Sequence, residues 1–360
     1  MVPTRVVALL GAGVVLALSG TQGAQAGATA PTVAQAKASK APKLKLLWSD
    51  EFNGKHGLPA SVQTSDRLYA KGYNWATEVT GTPPNRERQG YIDGPVEWGV
   101  NSKGKKFVRH WAIEIDGKGS LAINARPVQP ALKGKYPSTQ TPFFACERTS
   151  LPNSRCEWLS GRMSTKDQPG WFKGLGFMYG KIEARMKIPE GEGTWPAFWL
   201  LGANIDKVHW PACGEIDIME ASALQRYGMA FGSLHSQPDD QYNFGITANV
   251  ALDDFYSKFH TFAIVWKKDQ IDFLADDKVY KSVTKADMTS ESNAVPGKGR
   301  RGWPFNKEFF LILNLAMGGS LGGDSAADFM VPPTNTAGGT FLIDYVRYYS
   351  VDGVGTLIRH

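Results

Sequence analysis

Three carboxylates stand close together in Gly214-Glu215-Ile216-Asp217-Ile218-Met219-Glu220, interleaved with large apolar side chains. From 215 to 218 acid and apolar residues alternate, which is the period-two rhythm of a β-strand. The rhythm breaks at the end: a third acid in step would occupy 219, but 219 is Met and the acid stands at 220. A segment this apolar belongs in the middle of a sheet, where acids on one face are costly unless that face lines a cleft. One extra residue, a β-bulge, would return Glu220 to the face of Glu215 and Asp217. The two glutamates would then be about four strand steps apart, roughly 13 Å between Cα atoms. Leaning side chains would bring their carboxyls to roughly 5–6 Å, the separation at which a carboxyl pair cleaves a glycosidic bond by double displacement. Asp217 between them can hydrogen-bond a neighbour and hold the carboxyls in different protonation states. Metal binding and a purely structural cluster are the competing uses of such a group.

The elements that must position these acids are strands. From residue 45 onward short β-like runs alternate with Gly, Pro, Asn and Asp, as in "SLAINARP", "YGKIEARMKI", "TWPAFWLLG", "FFLILNLAM" and "TFLIDYVRYYS". Ile182, Ala184, Met186 and Ile188 alternate with polar residues, the pattern of a half-buried strand. "FAIVWKKDQIDFLAD" reads as two strands about a Lys-Asp-Gln turn. No long helical pattern and no strand–helix–strand alternation is present. The fold class expected is therefore all-β, a single sandwich or jelly roll. Trp195 and Trp199 are four apart on one strand and share a face, as an aromatic platform for sugar rings would require.

The chain has 360 residues, a formal net charge of +6, and 11 Trp, 12 Tyr and 18 Phe. The aromatic content suits a β core and a carbohydrate binder alike. No basic stripe accompanies a nucleic-acid-binding module, so nucleic acid is not expected as a partner. Residues 1–26 read as a signal peptide, with Arg5 before an apolar run and Ala24-Gln25-Ala26 as a cleavage site. Residues 27–44, rich in Ala, Lys, Pro and Thr, read as a disordered leader, and 45–360 as the folded domain. A secreted protein, monomeric and without a membrane span, is expected. Of the three cysteines, Cys146 and Cys156 bracket a polar loop and are the expected disulfide pair, leaving Cys213 as a buried thiol. "GGSLG" at 318–322 fits the G-x-S-x-G elbow of serine hydrolases, but the Gly- and Pro-interrupted continuation does not supply the helix that elbow needs.

"WPACGEIDIME" resembles the catalytic segment of glycoside hydrolase family 16 in its laminarinase-like, bulged E-x-D-x-x-E form. The likeness continues in order through "LLWSDEFNG", "NRERQGY", "SGRMSTK", "YGKIEARMKIPEGEGTWPAFWLLG", "FHTFAIVW", "LILNLAMGG" and "IDYVRYY", covering roughly residues 46–350. The resemblance implies a β-jelly roll whose concave sheet forms the substrate cleft. It implies retaining hydrolysis with Glu215 as nucleophile, Asp217 as its assisting carboxylate and Glu220 as acid/base, an assignment that spacing alone does not make. It further implies cleft positions for Trp195, Trp199, His235, Asn85, Glu87 and Arg162. No cofactor is required, although Asp344 resembles the position where some members hold a structural Ca²⁺. The expected function is that of a secreted endo-β-glucanase acting on β-1,3 and mixed β-1,3-1,4 glucans. The alternatives are a hydrolase of agar- or carrageenan-type galactans, and a glucan-binding lectin on the same fold.

Overall fold

Alternation becomes architecture first in the strand Gly180–Lys187. Ile182, Ala184 and Met186 enter the core there, while Lys181, Glu183 and Arg185 point the other way. The computed structural model describes residues 41–57, 62–63, 73–80, 85, 87–128, 158–191, 193–222, 228–238, 245–319 and 338–360. The segment read as a signal peptide, most of the leader, and the loop with Cys146 and Cys156 lie outside the described residues. Leu44, placed at the end of that leader, instead opens the first strand, Leu44–Asp50. Cys213 is a free, buried thiol.

Two ten-stranded sheets face each other across one core. The first runs in space as Lys278–Thr284, Gln270–Ala275, His260–Lys267, Gly180–Lys187, Gly339–Val351, Leu121–Pro127, Trp158–Ser160 and Gln89–Tyr91. The second runs as Ile246–Ala251, Met229–His235, Glu215–Ala221, Thr194–Gly202, Phe309–Met317, Arg162–Ser164, Trp75–Thr77 and Val62–Gln63. Pairing is antiparallel, apart from Gln89–Tyr91 with Trp158–Ser160 and Val62–Gln63 with Trp75–Thr77. The expected hairpin forms with Lys267 opposite Gln270, a turn one residue tighter than the sequence suggested. The helices Ile205–Val208, Lys285–Met288 and Glu291–Asn293 are each a single short turn. None is long and apolar enough to cross a membrane.

The strand Glu215–Ala221 lies between Met229–His235 and Thr194–Gly202, inside the second sheet. Its register confirms the irregularity. Asp217 stands opposite Ser233 and Glu220 opposite Phe231, so three steps on one strand match two on the other. On the other side Met219 pairs with Phe198 and Asp217 with Trp199, leaving Ile218 as the surplus residue. Ile218 and Met219 are consecutive, yet both are buried in the core. Gly232 faces this bulge, and a Cβ there would come within 2.5 Å of Phe273 Cδ1 and 2.7 Å of the Tyr280 hydroxyl. The first sheet thus packs against the back of the bulge through a position that only glycine fits.

Two length variants check the bulge. Deleting Met219 leaves Glu-Ile-Asp-Ile-Glu, which alternates regularly, so the variant should fold with all three acids outward and lose about 2–5 kcal/mol for the missing core side chain. Inserting one residue between Asp217 and Glu220 should do worse, because it drives a carboxylate into the core at a cost of several kcal/mol. Circular dichroism and denaturant titration of both variants decide it; an insertion more stable than the deletion would refute the geometry.

Candidate active site

The bulge lays three rows across the outward face of the second sheet. One is Asn249, Phe231, Glu220, Ala197, Asn314 and Arg162. The next is Thr247, Ser233, Asp217, Trp199, Ile312 and Ser164. The third is His235, Glu215, Leu201 and Phe310. Neighbouring strands therefore supply each acid with its setting.

Each carboxylate has a placed partner. Trp195 donates its Nε1–H to Glu220 Oε1 at 2.8 Å, and Trp210 donates its Nε1–H to Glu215 Oε2. His235 Nε2 lies 3.2 Å from Asp217 Oδ2. Asp217 is 2% exposed and Glu220 9%. Burial pushes Glu215 well above the usual carboxylate range; the charge of Asp217 adds to this, while His235 and the Trp210 donor oppose it. Asp217 is raised as well, by burial first and the charge of Glu220 second, again opposed by His235. Ionising both members of the Glu215–Asp217 pair is costly, so the pair retains a shared proton well above the range of ordinary carboxyls. Such a site can hold one carboxyl ionised for attack while keeping a proton close by.

The other residues singled out in the sequence fall on or beside this face. Trp195 packs with Phe231 and Ala316, and its evident contact is the brace on Glu220. Trp199 donates to Asn314 Oδ1 at 2.7 Å, and the Arg162 guanidinium lies 5.0 Å from its ring centre, covering one face. Arg162 is paired with Glu78 at 2.6 Å. Asn314 Nδ2 donates to the Tyr91 hydroxyl, which donates to Glu87 Oε2; Gln89 donates to the same oxygen. Burial raises Glu87, while the Gln89 and Tyr91 donors and the Arg162 charge pull it back. Asn85 sits in a left-handed conformation at φ 63°. Its carbonyl oxygen would be 2.9 Å from a Cβ on Gly319, with Glu87 and Trp195 also close, so Asn85 and Glu87 both lie near Trp195.

Asp344 stands apart from the acids on the first sheet and forms an ion pair with Arg185. That guanidinium supplies the counter-charge that a calcium ion would bring to Asp344.

Trp210 was missed in the sequence. It is 42% exposed, at the turn before the acid strand, and its ring lies 6.3 Å from that of His235. Its signal was present, a Trp five residues before an acid, but only the turned loop brings its N–H onto Glu215. Tyr91, Gln89, Glu78 and Asn314 were missed too, because their contacts bridge 84 or more residues of sequence or lie within a segment chosen for other reasons.

Two glutamates on one strand, astride a buried aspartate on the outward face of an antiparallel sandwich, are the equipment of a glycoside hydrolase. Comparison with known proteins agrees. Residues 161–301 match Glycosyl hydrolases family 16. A glucan endo-1,3-beta-glucosidase of Cryptopygus antarcticus is 35% identical over 200 residues, 54% of this chain and 67% of that protein. The laminarinase from Flavobacterium sp. UMI-01 is 30% identical, with a TM-score of 0.55 over 85% of this chain and 100% of that structure. Glucan endo-1,3-beta-glucosidase A1 of Niallia circulans is 29% identical over 85% of this chain, which spans only 38% of that relative's length. The chain belongs to glycoside hydrolase family 16, and its sandwich is the jelly roll of that family's laminarinases.

The raised carboxyls generate a test with a definite sign. A carboxyl whose folded-state pKa lies above its unfolded value penalises the folded state once pH rises past the unfolded pKa, and the relative stability is lost through the folded pKa. Glu215→Gln removes that penalty. The variant should melt several degrees higher than the parent at pH 9, with the gain vanishing at pH 4, where both states are protonated. Equal melting temperatures at both pH values would contradict the reading. Trp210→Phe keeps the ring and removes the donor, so the acid limb of the kcat/KM profile should move to higher pH.

Proposed function

We propose that this chain is an endo-acting β-glucanase that cleaves β-1,3 linkages, including those of mixed β-1,3-1,4 glucans, with retention of configuration. The observation that carries the reading is the trio of acids on the bulged strand, each with its own partner: Trp210 on Glu215, His235 beside Asp217, and Trp195 on Glu220. The choice of glucan rests on the relatives, named for endo-1,3-beta-glucosidase and laminarinase activity.

In the first step the Glu215 carboxylate attacks the anomeric carbon while Glu220 gives its proton to the departing glycosidic oxygen. The C–O bond to the leaving chain breaks and a glycosyl ester on Glu215 forms. In the second step water attacks the same carbon, Glu220 takes the water proton, and the ester bond breaks. Two inversions give net retention. Asp217, in contact with Glu215 and His235, takes up or releases the proton that Glu215 must lack during attack. Trp195 fixes the orientation of Glu220 by its single N–H.

The test is reducing-sugar release from laminarin, lichenan, agarose and carrageenan. Release from laminarin is expected, and lichenan should be cut where β-1,3 bonds occur; release confined to the two galactans would overturn the substrate assignment. Glu215→Gln should lower kcat by at least about 10³-fold. Glu220→Ala should retain cleavage of substrates with a good leaving group, and azide should raise that residual rate. Early NMR spectra of the product should show the β-anomer. An α-anomer would mean direct displacement by water and sink the two-step mechanism.

A further inference from the structure

We infer that the hairpin of strands Pro95–Val100 and Lys106–Trp111 is a docking surface for a polyanionic glycan, one that carries carboxylate or sulfate groups. The two strands form a sheet of their own, outside the sheet that bears the three acids. Val96 is buried at its root, in a small cluster with Ile92, Ala112 and Leu159. Residues 101–107 are all exposed, so the tip projects into solvent.

The tip is basic and held in shape. Between Glu97 and Glu114 the sequence has Lys103, Lys105, Lys106 and Arg109 and no acid. Arg109 is matched by Glu97 at 2.8 Å, and Arg126 reaches the same carboxylate at 3.0 Å. The three lysines have no side-chain partner among the described residues. Asn101 Oδ1 accepts from the backbone N–H groups of Lys103 and Lys105, at 3.0 and 2.9 Å, and Gly104 completes the turn at φ 73°. A tip formed in advance loses little backbone freedom on binding. Its ammonium groups are spread along the turn rather than converging, which suits a chain of anions better than a single ion.

An aromatic surface lies beside the lysines. Phe107 stands opposite Gly99, shares its face and is 45% exposed. A Cβ on Gly99 would come within 2.5 Å of Phe107 Cζ, so the glycine leaves the space in which the phenyl lies over the neighbouring strand. A ring held there, outside the core, can meet the apolar face of a pyranose. Other polyanions fit less well. A bilayer would meet the lysines first, because Val100 and Phe107 stand behind them on opposite faces and offer no common apolar face to insert. Nucleic-acid phosphates are best gripped by the fork of an arginine, and the one guanidinium of this hairpin is held by Glu97. Carboxylates or sulfates along a glycan need only the point charge of an ammonium, and the sugar brings the ring that Phe107 can meet. A member of a glycoside hydrolase family works among polysaccharides, where such a chain can lie beside the substrate.

The experiment measures the Kd of the full chain for polygalacturonate, a polyuronate, beside double-stranded DNA and phosphatidylglycerol vesicles at one ionic strength. The unaltered protein should bind polygalacturonate most tightly, and added salt should weaken it. Lys103→Gln, Lys105→Gln and Lys106→Gln together should raise that Kd about tenfold. The same change at the exposed Lys278, Lys281 and Lys285 alters net charge equally and should move it less than about twofold. Phe107→Ala leaves the charge unchanged and should raise Kd about threefold. Unchanged circular dichroism and melting temperature show that each variant is folded. Equal weakening by the two triple variants would reduce the effect to net charge and overturn the docking surface. No binding to polygalacturonate, or tighter binding to DNA or to vesicles, would overturn it as well. Binding is read without catalysis, so none of these outcomes bears on the glucanase reading.

Discussion

The whole site depends on the bulge that absorbs one surplus residue between Asp217 and Glu220. Without the bulge, that residue would leave period two to turn Met219 outward and Glu220 into the core. With it, two successive apolar side chains enter the core and the strand turns far enough to set Glu220 back among the acids. The bulge is held from behind by Phe273 and Tyr280 against Gly232, and from the front by the pairing of Glu220 with Ala197 and Phe231. Core packing thus fixes the stagger between the two glutamates, and stagger is the quantity on which their cooperation depends.

The choice of braces follows from what the acids must do. A guanidinium on Glu215 would hold its carboxyl below the ordinary range and end any sharing of a proton with Asp217. The partner found is the neutral indole of Trp210, which donates one hydrogen bond and no charge. The charge that opposes burial at both Glu215 and Asp217 is that of His235, a group that can itself lose its proton. The strong cation of this face, Arg162, is kept beyond Trp199 and tied to Glu78. Neutral donors close to the acids and cations further away keep the carboxyls titratable near neutrality.

Much of this was legible in the sequence, and the reason is locality. The acids, their broken rhythm and the strand that bears them lie within seven residues, so spacing alone implied a bulge. The alternation in Gly180–Lys187 likewise predicted the face it buries. Contacts between distant segments were not legible. That Tyr91 links Asn314 to Glu87, or that Glu78 neutralises Arg162, depends on sheet order, which no single segment encodes. Trp210 is the instructive intermediate: it is close in sequence to Glu215, yet a turn rather than a periodic element brings it there, and turns leave no period to read.

Departure from alternation also marks the cleft away from the acids. In "TWPAFWLLG" and "FFLILNLAM" almost every residue is apolar, a pattern usual for strands covered on both faces. Both strands are antiparallel and central in the second sheet, and Phe198, Leu200, Leu311 and Leu313 fill the core on one side. On the other side Trp195, Phe231 and Ala316 form one apolar cluster, and Leu201, Cys213, Phe310 and Ile312 another. These clusters flank the acids instead of covering the face, with Trp195 beside Glu220 and Leu201 opposite Glu215. They displace water from the carboxyls and so raise the cost of charge on them. The residues that break the usual alternation of an outer sheet face are thus the ones that surround the acids with apolar surface, and a feature legible in the sequence as unbroken apolar runs becomes, in the fold, the setting that shifts the carboxyls upward.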